Sequence, residues 1–196
     1  MIIVGLTGGI GSGKTTILKC FKSYGVPVYI ADDEAKALMH RSKVIRRQLI
    51  KLFGKEAYKE DQLNRTYLSS KIFGDRTLLE KMNAIVHPKV AAHFKRWLKK
   101  QKGDYVIKEA AIIFENNLES QYNYIITVIA DEDLRIKRVM KRDGASEKKI
   151  KSIINNQLSD AEKMKKSDFI ITNNDLEEAK KQAFEIHNNI LEIIKN

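Results

Sequence analysis

Gly8-Gly9-Ile10-Gly11-Ser12-Gly13-Lys14-Thr15 is the stretch that decides the fold. It satisfies the pattern G-x-x-x-x-G-K-[ST]. The apolar run Ile2, Ile3, Val4, Leu6 precedes it, and Ile17, Leu18 and Phe21 follow at helical spacing. Strand, glycine turn and helix in that order are the context a phosphate cradle requires. Glycines let the backbone wrap a phosphate chain without Cβ clashes, while successive N–H groups and the helix N-terminus face the anion. Lys14 then reaches the β and γ phosphates, and the Thr15 hydroxyl ligates Mg²⁺. Gly8, Gly9, Gly11, Ser12, Gly13, Lys14, Thr15 and Thr16 are the expected nucleotide-binding residues, with a nucleoside triphosphate as ligand.

Outward from this turn, Gly25 stops the first helix and VPVYIA (26–31) reads as a second strand. Strand character returns in YVIKEA (105–110), YIITVIA (124–130) and DFIITN (168–173), each separated by helical stretches. Five short apolar strands alternating with helices predict an α/β fold, a five-stranded parallel sheet covered on both faces. Residues 34–102 show no comparable strand and read as a helical insertion. Gly54 ends one helix there, and Pro88 sits in the first turn of another that runs through Val90, Phe94, Trp97 and Leu98. Phe94, Trp97 and Cys20 are assigned to the core. Between the fourth and fifth strands, Asp131 reads as an N-cap and Gly144 as a breaker. Ser159 to Glu162 reads as a capping box, and Asp175 to Glu178 as a looser one.

The chain has 196 residues, 43% hydrophobic and 31% charged, with 2 Pro and 10 Gly, which excludes disordered and fibrous classes. A chain this long buries roughly 70% of its unfolded surface, so a core forms without staples. The one cysteine has no internal disulfide partner, and the start of the chain turns glycine-rich before a signal-peptide stretch could build. A reduced, cytoplasmic setting is expected. No apolar run approaches the about 20 residues that span a bilayer. The net charge of +11 points to a polyanionic partner, and its distribution is informative. Residues 34–104 carry 18 basic and 7 acidic groups, whereas 1–33 carry 3 and 2 and 105–196 carry 15 and 16. Solvated helical faces account for such an excess equally well.

A phosphate cradle does not name the acceptor. There is no NKxD-type guanine reader, and the sheet is too small for a motor ATPase core, so a small kinase is favoured. Asp32, Asp33 and Glu34 follow the second strand at the carboxyl edge of the sheet, where open α/β sheets bind ligands. Asp33 and Glu34 read as helix-capping residues. Asp32 is the expected base, accepting or orienting the proton of an attacking hydroxyl. Arg135, Arg138 and Arg142 recur on one helix, with Arg138 and Arg142 on one face, a pattern that serves either a phosphate clamp or a solvated basic surface. His87, before Pro88, reads as a structural histidine at a helix junction. His40, His93 and His187 show no metal-site spacing.

Taken together these residues resemble the dephospho-coenzyme A kinase family. The resemblance rests on LTGGIGSGKTT, Ala31-Asp32, Leu63-Asn64-Arg65 with Leu68 and Phe73, and Met82-Asn83-Ala84-Ile85-Val86-His87-Pro88. It continues through Glu109-Ala110-Ala111-Ile112-Ile113-Phe114-Glu115, Arg138, Arg142-Asp143, Gln157, and Asp168 leading to Asn173-Asn174. It implies a three-layer P-loop kinase core (1–32, 105–131 and 163–196), a helical substrate-binding domain (33–104) and a helical lid (132–162). The implied reaction transfers the γ-phosphoryl of ATP to the ribose 3′-hydroxyl of dephospho-CoA. The implied catalytic set is Asp32, Lys14, Arg142 and Arg138. Asn173 joins the ATP site, Asp32, Arg65, His87, Glu109 and Phe114 the substrate site, and Glu109 holds Mg²⁺ through water alongside Thr15. ATP and dephospho-CoA are the expected partners, with neither nucleic acid nor membrane, and the expected state is a monomer or weak oligomer. The chain departs from the family in carrying Ile30 in place of an aspartate, Glu109 for an aspartate, and Ala111 for a proline. A P-loop kinase for another small hydroxyl acceptor is the alternative. A nucleic-acid-stimulated ATPase is disfavoured because no aromatic platform interleaves with the basic residues.

Overall fold

A computed structural model describes residues 1–195. Its elements, in chain order, are β1 (Ile2–Gly8), α1 (Lys14–Ser23), β2 (Val28–Ile30), α2 (Ala31–Arg41), α3 (Lys43–Phe53), β3 (Tyr58–Lys59), β4 (Gln62–Leu63), α4 (Arg65–Ile72) and α5 (Arg76–Leu98). After these come β5 (Tyr105–Glu109), β6 (Tyr124–Ile129), α6 (Glu132–Asp143), α7 (Glu147–Asn155), α8 (Asp160–Lys165), β7 (Phe169–Thr172) and α9 (Leu176–Lys195). The chain divides into two units, residues 1–29 with the stretch from Gln101 onward, and Ile30–Lys100.

The first unit is built on the five-stranded sheet, in the order β2-β5-β1-β6-β7. The pairings of β1 with β5 and β6, and of β6 with β7, are all parallel. Central β1 is apolar because both its faces are covered, and Val4 and Leu6 are fully buried. Leu6 stands level with Glu109 on one side and Ile126 on the other, so Glu109 is fixed at the carboxyl edge beside the end of β1. One face is covered by α1 and α9, through Ile17, Phe21, Ala183 and Ile190. A second cluster joins Ile113, Phe114 and Ile125 with Leu118, Tyr122 and Leu158. A third joins Ile136, Val139 and Ile150 with Ile10 at the tip of the glycine turn, so α6 and α7 are packed against that turn. Burying side chains of this size contributes about 1.5–3 kcal/mol each. Gly144 ends α6 in the left-handed conformation, and Ser159 and Glu162 form the capping box that opens α8. Asp131 sits at the N-cap of α6, but its carboxylate caps nothing. Its backbone N–H donates instead to Asn174 Oδ1, 2.9 Å away.

The second unit packs α2 to α5 around Leu38, Ile45, Leu49, Phe53, Leu68, Val86, Val90 and Phe94. Ser42, Asn64 and Asp75 cap α3, α4 and α5 with their side-chain oxygens, and Gly54 ends α3. Two features differ from the sequence expectation. An antiparallel hairpin of two-residue strands, β3 and β4, lies inside the helical segment, too short to leave an alternating pattern. Its turn places Glu60 and Asp61 at positive φ, where the Arg46 guanidinium holds Asp61 at 2.6 Å. Pro88 does not open a helix either; it lies inside the 23-residue α5. Proline removes one intrahelical donor without forbidding the turns on either side, and Val86, Val90 and Phe94 keep one buried stripe across it. Of the residues assigned to the core, Phe94 is buried, whereas Trp97, stacked on it at 5.9 Å, and Cys20 are half-buried. Among the described residues no helix is long and apolar enough to cross a membrane.

Candidate active site

The glycine turn leaves β1 at Gly8 and enters α1 at Lys14. The N-terminus of α1 has no side-chain cap and no acidic residue in its first turn, so its donors and positive dipole end stay available to an anion. Gly13 adopts a φ of 95°, and a Cβ there would fall on the side-chain amide of Asn173. Asn173 closes the far side of the turn from the end of β7. It is buried, its Nδ2 donates to the Ser12 carbonyl at 2.7 Å, and its own carbonyl accepts from Arg138 Nη1 at 2.9 Å. Two buried oxygens bordering the turn, Ser12 Oγ and Asn173 Oδ1, have no hydrogen-bond partner. The Lys14 ammonium folds back over the turn, donating to the carbonyls of Gly8 at 2.8 Å and Gly9 at 3.3 Å.

A cleft of about 460 Å³ opens over this turn, lined by Gly11, Gly13, Lys14, Thr15 and Thr16 on one side and Arg138, Val139, Arg142, Asn173 and Leu176 on the other. The fold thus brings together the glycine turn, Asn173 and the two arginines proposed from helical spacing. Arg142 is paired with its neighbour Asp143 through two hydrogen bonds, 2.7 and 2.8 Å, and these hold the Asp143 carboxyl below the usual carboxylate range. Its guanidinium remains largely open to solvent.

At the end of β5, Glu109 is buried, and the phenol of Tyr122 is pushed up by burial and, to a lesser degree, by the Glu109 charge. The loop beyond is tied to β1 by the Thr7 hydroxyl, which donates to the Ala111 carbonyl at 3.2 Å. Phe114, expected to touch substrate, is 2% exposed within the Ile113–Ile125 cluster. Its ring is held by packing and by the Lys166 ammonium 5.8 Å from its centre.

The remaining predicted residues lie in the second unit. The expected caps do not form: Ile30 is the N-cap of α2, and all three carboxylates lie inside its first turn. Asp33 pairs with Lys36 at 3.0 Å, and Glu34 with Arg41 at 3.0 Å and with His93 at 3.5 Å. Asp32 is exposed. Arg65 opens α4 and borders a shallow cleft of about 160 Å³ with Lys36, Met39, Leu63, Leu68 and Met82. His87 is exposed in the middle of α5, not at a junction.

Three residues at the turn were given no role by the sequence. Arg135, read with the basic face, is buried and donates from Nε to the Ile10 carbonyl at 2.9 Å. Asp160 pairs with it at 3.0 Å. Gln157 accepts from the Ile10 N–H at 2.9 Å. The i, i+3, i+7 spacing of the arginines flagged Arg135, but its partners are backbone groups that no spacing identifies.

A parallel sheet with a glycine turn at its carboxyl edge, a lysine in that turn and a basic helix across the cleft define a P-loop kinase of small molecules. Comparison with known proteins narrows the class. Residues 2–178 match the family model described as dephospho-CoA kinase. The dephospho-CoA kinase of Bacteroides fragilis is 38% identical over 174 residues, 88% of this chain and 85% of the relative. That of Fusobacterium nucleatum is 34% identical over 175 residues, 89% of this chain and 90% of the relative. Among solved structures, a Thermus thermophilus protein superposes with a TM-score of 0.89 at 29% identity, covering 97% of both chains. The Campylobacter jejuni dephospho-CoA kinase shares the fold, with a TM-score of 0.69 at 23% identity and 96% coverage of both chains. The chain belongs to the dephospho-CoA kinase family.

Proposed function

We propose that the chain transfers the γ-phosphoryl group of ATP to the ribose 3′-hydroxyl of dephospho-CoA, giving coenzyme A and ADP, with Asp32 receiving the hydroxyl proton. The observation that carries this reading is the cleft in which the turn, Lys14, Arg138 and Arg142 face one another, in a chain of this family. Backbone N–H groups of the turn and the α1 terminus cradle the phosphates. The Lys14 ammonium, now on backbone carbonyls, exchanges them for β and γ oxygens. Arg142 exchanges Asp143 for the transferring group as residues 132–162 close over the nucleotide. A cationic group at that position is worth about 10³-fold or more in rate. Residues 33–104, with Arg65 and His87, hold the acceptor.

Mg²⁺ fits the donor set, since the Thr15 hydroxyl lines the cleft and the Glu109 carboxylate stands at the end of β5, both hard oxygen donors that leave room for phosphate and water. When bound there it partly neutralises the charge on the β and γ oxygens. The cytoplasm is the proposed location, where a lone thiol such as Cys20 stays reduced.

The test is ADP release with ATP and Mg²⁺, offering dephospho-CoA, AMP, CMP and shikimate as acceptors. Dephospho-CoA should be preferred in kcat/KM by about 10²-fold or more, and a comparable rate with another acceptor overturns the assignment. Asp32→Asn should lower kcat by about 10²–10⁴-fold with ATP affinity retained. Near-normal turnover would remove Asp32 from the role of base.

A further inference from the structure

Ile10, at the tip of the glycine turn, has both its backbone polar groups held by side chains from distant parts of the chain. Gln157 accepts from its N–H at 2.9 Å, and Arg135 Nε donates to its carbonyl at 2.9 Å. The same guanidinium donates from Nη1 to Asp160 Oδ2 at 3.0 Å. It is pressed so closely on the turn that a Cβ at Gly9 would stand 2.7 Å from Arg135 Cζ, while one at Gly11 would meet the backbone of α6, 3.0 Å from the Arg135 carbonyl carbon. Gly9 therefore makes room for the Arg135 guanidinium, and Gly11 for the backbone of α6. Arg135 is 5% exposed and, unlike Arg138 and Arg142, does not line the nucleotide cleft.

The segment that supplies Gln157 and Asp160 is itself anchored. The Leu158 N–H donates to Glu115 Oε1 at 3.0 Å, and the same oxygen pairs at 3.0 Å with the ammonium of Lys163, whose side chain is fully buried. The α8 capping box fixes Ser159 between them. A turn of successive glycines has many backbone conformations open to it, and an oxyanion site gains most when its donors are aimed before the anion arrives. Fixing the peptide groups on both sides of Ile10 removes that freedom at the tip. The Ser12 N–H that follows closes the turn on the Gly9 carbonyl at 3.2 Å, so the tip is held from within as well as from outside.

We propose that Arg135 is a positioning residue for the ATP phosphates, acting with Gln157 through the Ile10 peptide groups. This deepens, and rests on, the reading of the turn as the ATP site. Two substitutions separate that role from a general anchoring one. Arg135→Gln places an amide nitrogen where Arg Nε stands, so it keeps the donor to Ile10 and loses the Asp160 pair. Arg135→Lys keeps a cation within reach of Asp160 and loses the Nε donor, because an ammonium cannot reproduce the guanidinium fork.

The experiment measures ATP affinity by calorimetry, KM for each substrate, kcat and Tm for the wild type and both variants. Arg135→Lys should raise the Kd and KM for ATP about tenfold, one good hydrogen bond's worth in this handful of contacts. It should leave KM for dephospho-CoA within about twofold and stay nearer the wild type in Tm. Arg135→Gln should lose more Tm yet hold ATP within about threefold of the wild type. Defects in ATP affinity that instead follow Tm, or a lysine variant with wild-type ATP affinity, overturn the proposal. Should either variant not fold, Gln157→Ala reads the other half of the same grip, with the same ATP-only loss expected and unchanged ATP affinity counting against it. A wild-type protein that binds no ATP overturns both readings. One that binds ATP but prefers another acceptor overturns only the acceptor assignment, since the Arg135 series is read on ATP.

Discussion

At Gly13 one atom decides whether the turn can exist. The residue takes a φ of 95°, and its missing Cβ leaves space for the Asn173 amide that donates to the Ser12 carbonyl. Alanine there faces a left-handed conformation costing about 1–2 kcal/mol, and it also displaces Asn173 from a buried hydrogen bond. Gly13→Ala should therefore lower stability by about 2–4 kcal/mol, seen as a Tm drop of several degrees in a chain of this size. ATP should raise the Tm of the wild type by mass action and fail to raise that of the variant. A variant that keeps the ATP-induced shift would show that the turn tolerates a side chain at this position. The glycines, Lys14 and Thr15 were legible because the motif is local and each residue type has one job that its neighbours cannot do. The surroundings of Phe114 were not legible for the opposite reason: a motif match does not say which way a ring faces, and here the ring is packed in the core cluster with Ile113 and Ile125.

Among the elements, α9 shows how a helix can carry a pH response. His187 on α9 shares a hydrogen bond with the Tyr105 hydroxyl of β5 at 2.7 Å, and its ring lies 5.2 Å from that of Tyr24, which follows α1. Tyr24 in turn packs on Phe184 at 5.5 Å and donates to the Lys180 carbonyl. Burial lowers the His187 pKa, so as pH falls below about 6.5 the unfolded chain takes up the proton before the folded one. The contribution is fully present above that pH and is lost as pH drops toward the folded value. Tm should accordingly fall between pH 7 and pH 5, and His187→Phe should flatten the part of that decline due to this residue. Parallel melting curves for the two proteins against pH would exclude His187 as a source of acid sensitivity. The alternation of strand and helix around β1 was readable, since buried parallel strands are short apolar runs bounded by breakers. The passage of α5 through Pro88 was not. A proline weighs equally on a reading as helix start or helix interior, and only the packing of Val86, Val90 and Phe94 along one stripe decides.

Over the whole molecule, sequence separation sets what could be read in advance. The grip on Ile10 joins residues 125 and 147 positions apart, through backbone atoms that carry no residue-type signal, so what Arg135 and Gln157 hold became visible only once the chain was folded. Charge is different, because it acts over about 10 Å at 0.1 M salt and needs no register. The entire excess of +11 lies in residues 34–104, while 1–33 and 105–196 sum to nearly zero. If the basic segment draws in and holds the anionic acceptor, KM for dephospho-CoA should rise about threefold or more as monovalent salt goes from 25 to 400 mM, since screening weakens long-range attraction. KM for ATP, whose proposed site lies in the nearly neutral remainder, should rise less over the same range at constant free Mg²⁺. Initial-rate measurements varying each substrate in turn decide the matter. Equal salt responses would assign the attraction to the nucleotide turn and its arginines instead, and a flat response for dephospho-CoA would leave the lysine-rich helices as solvated faces with no part in capturing substrate.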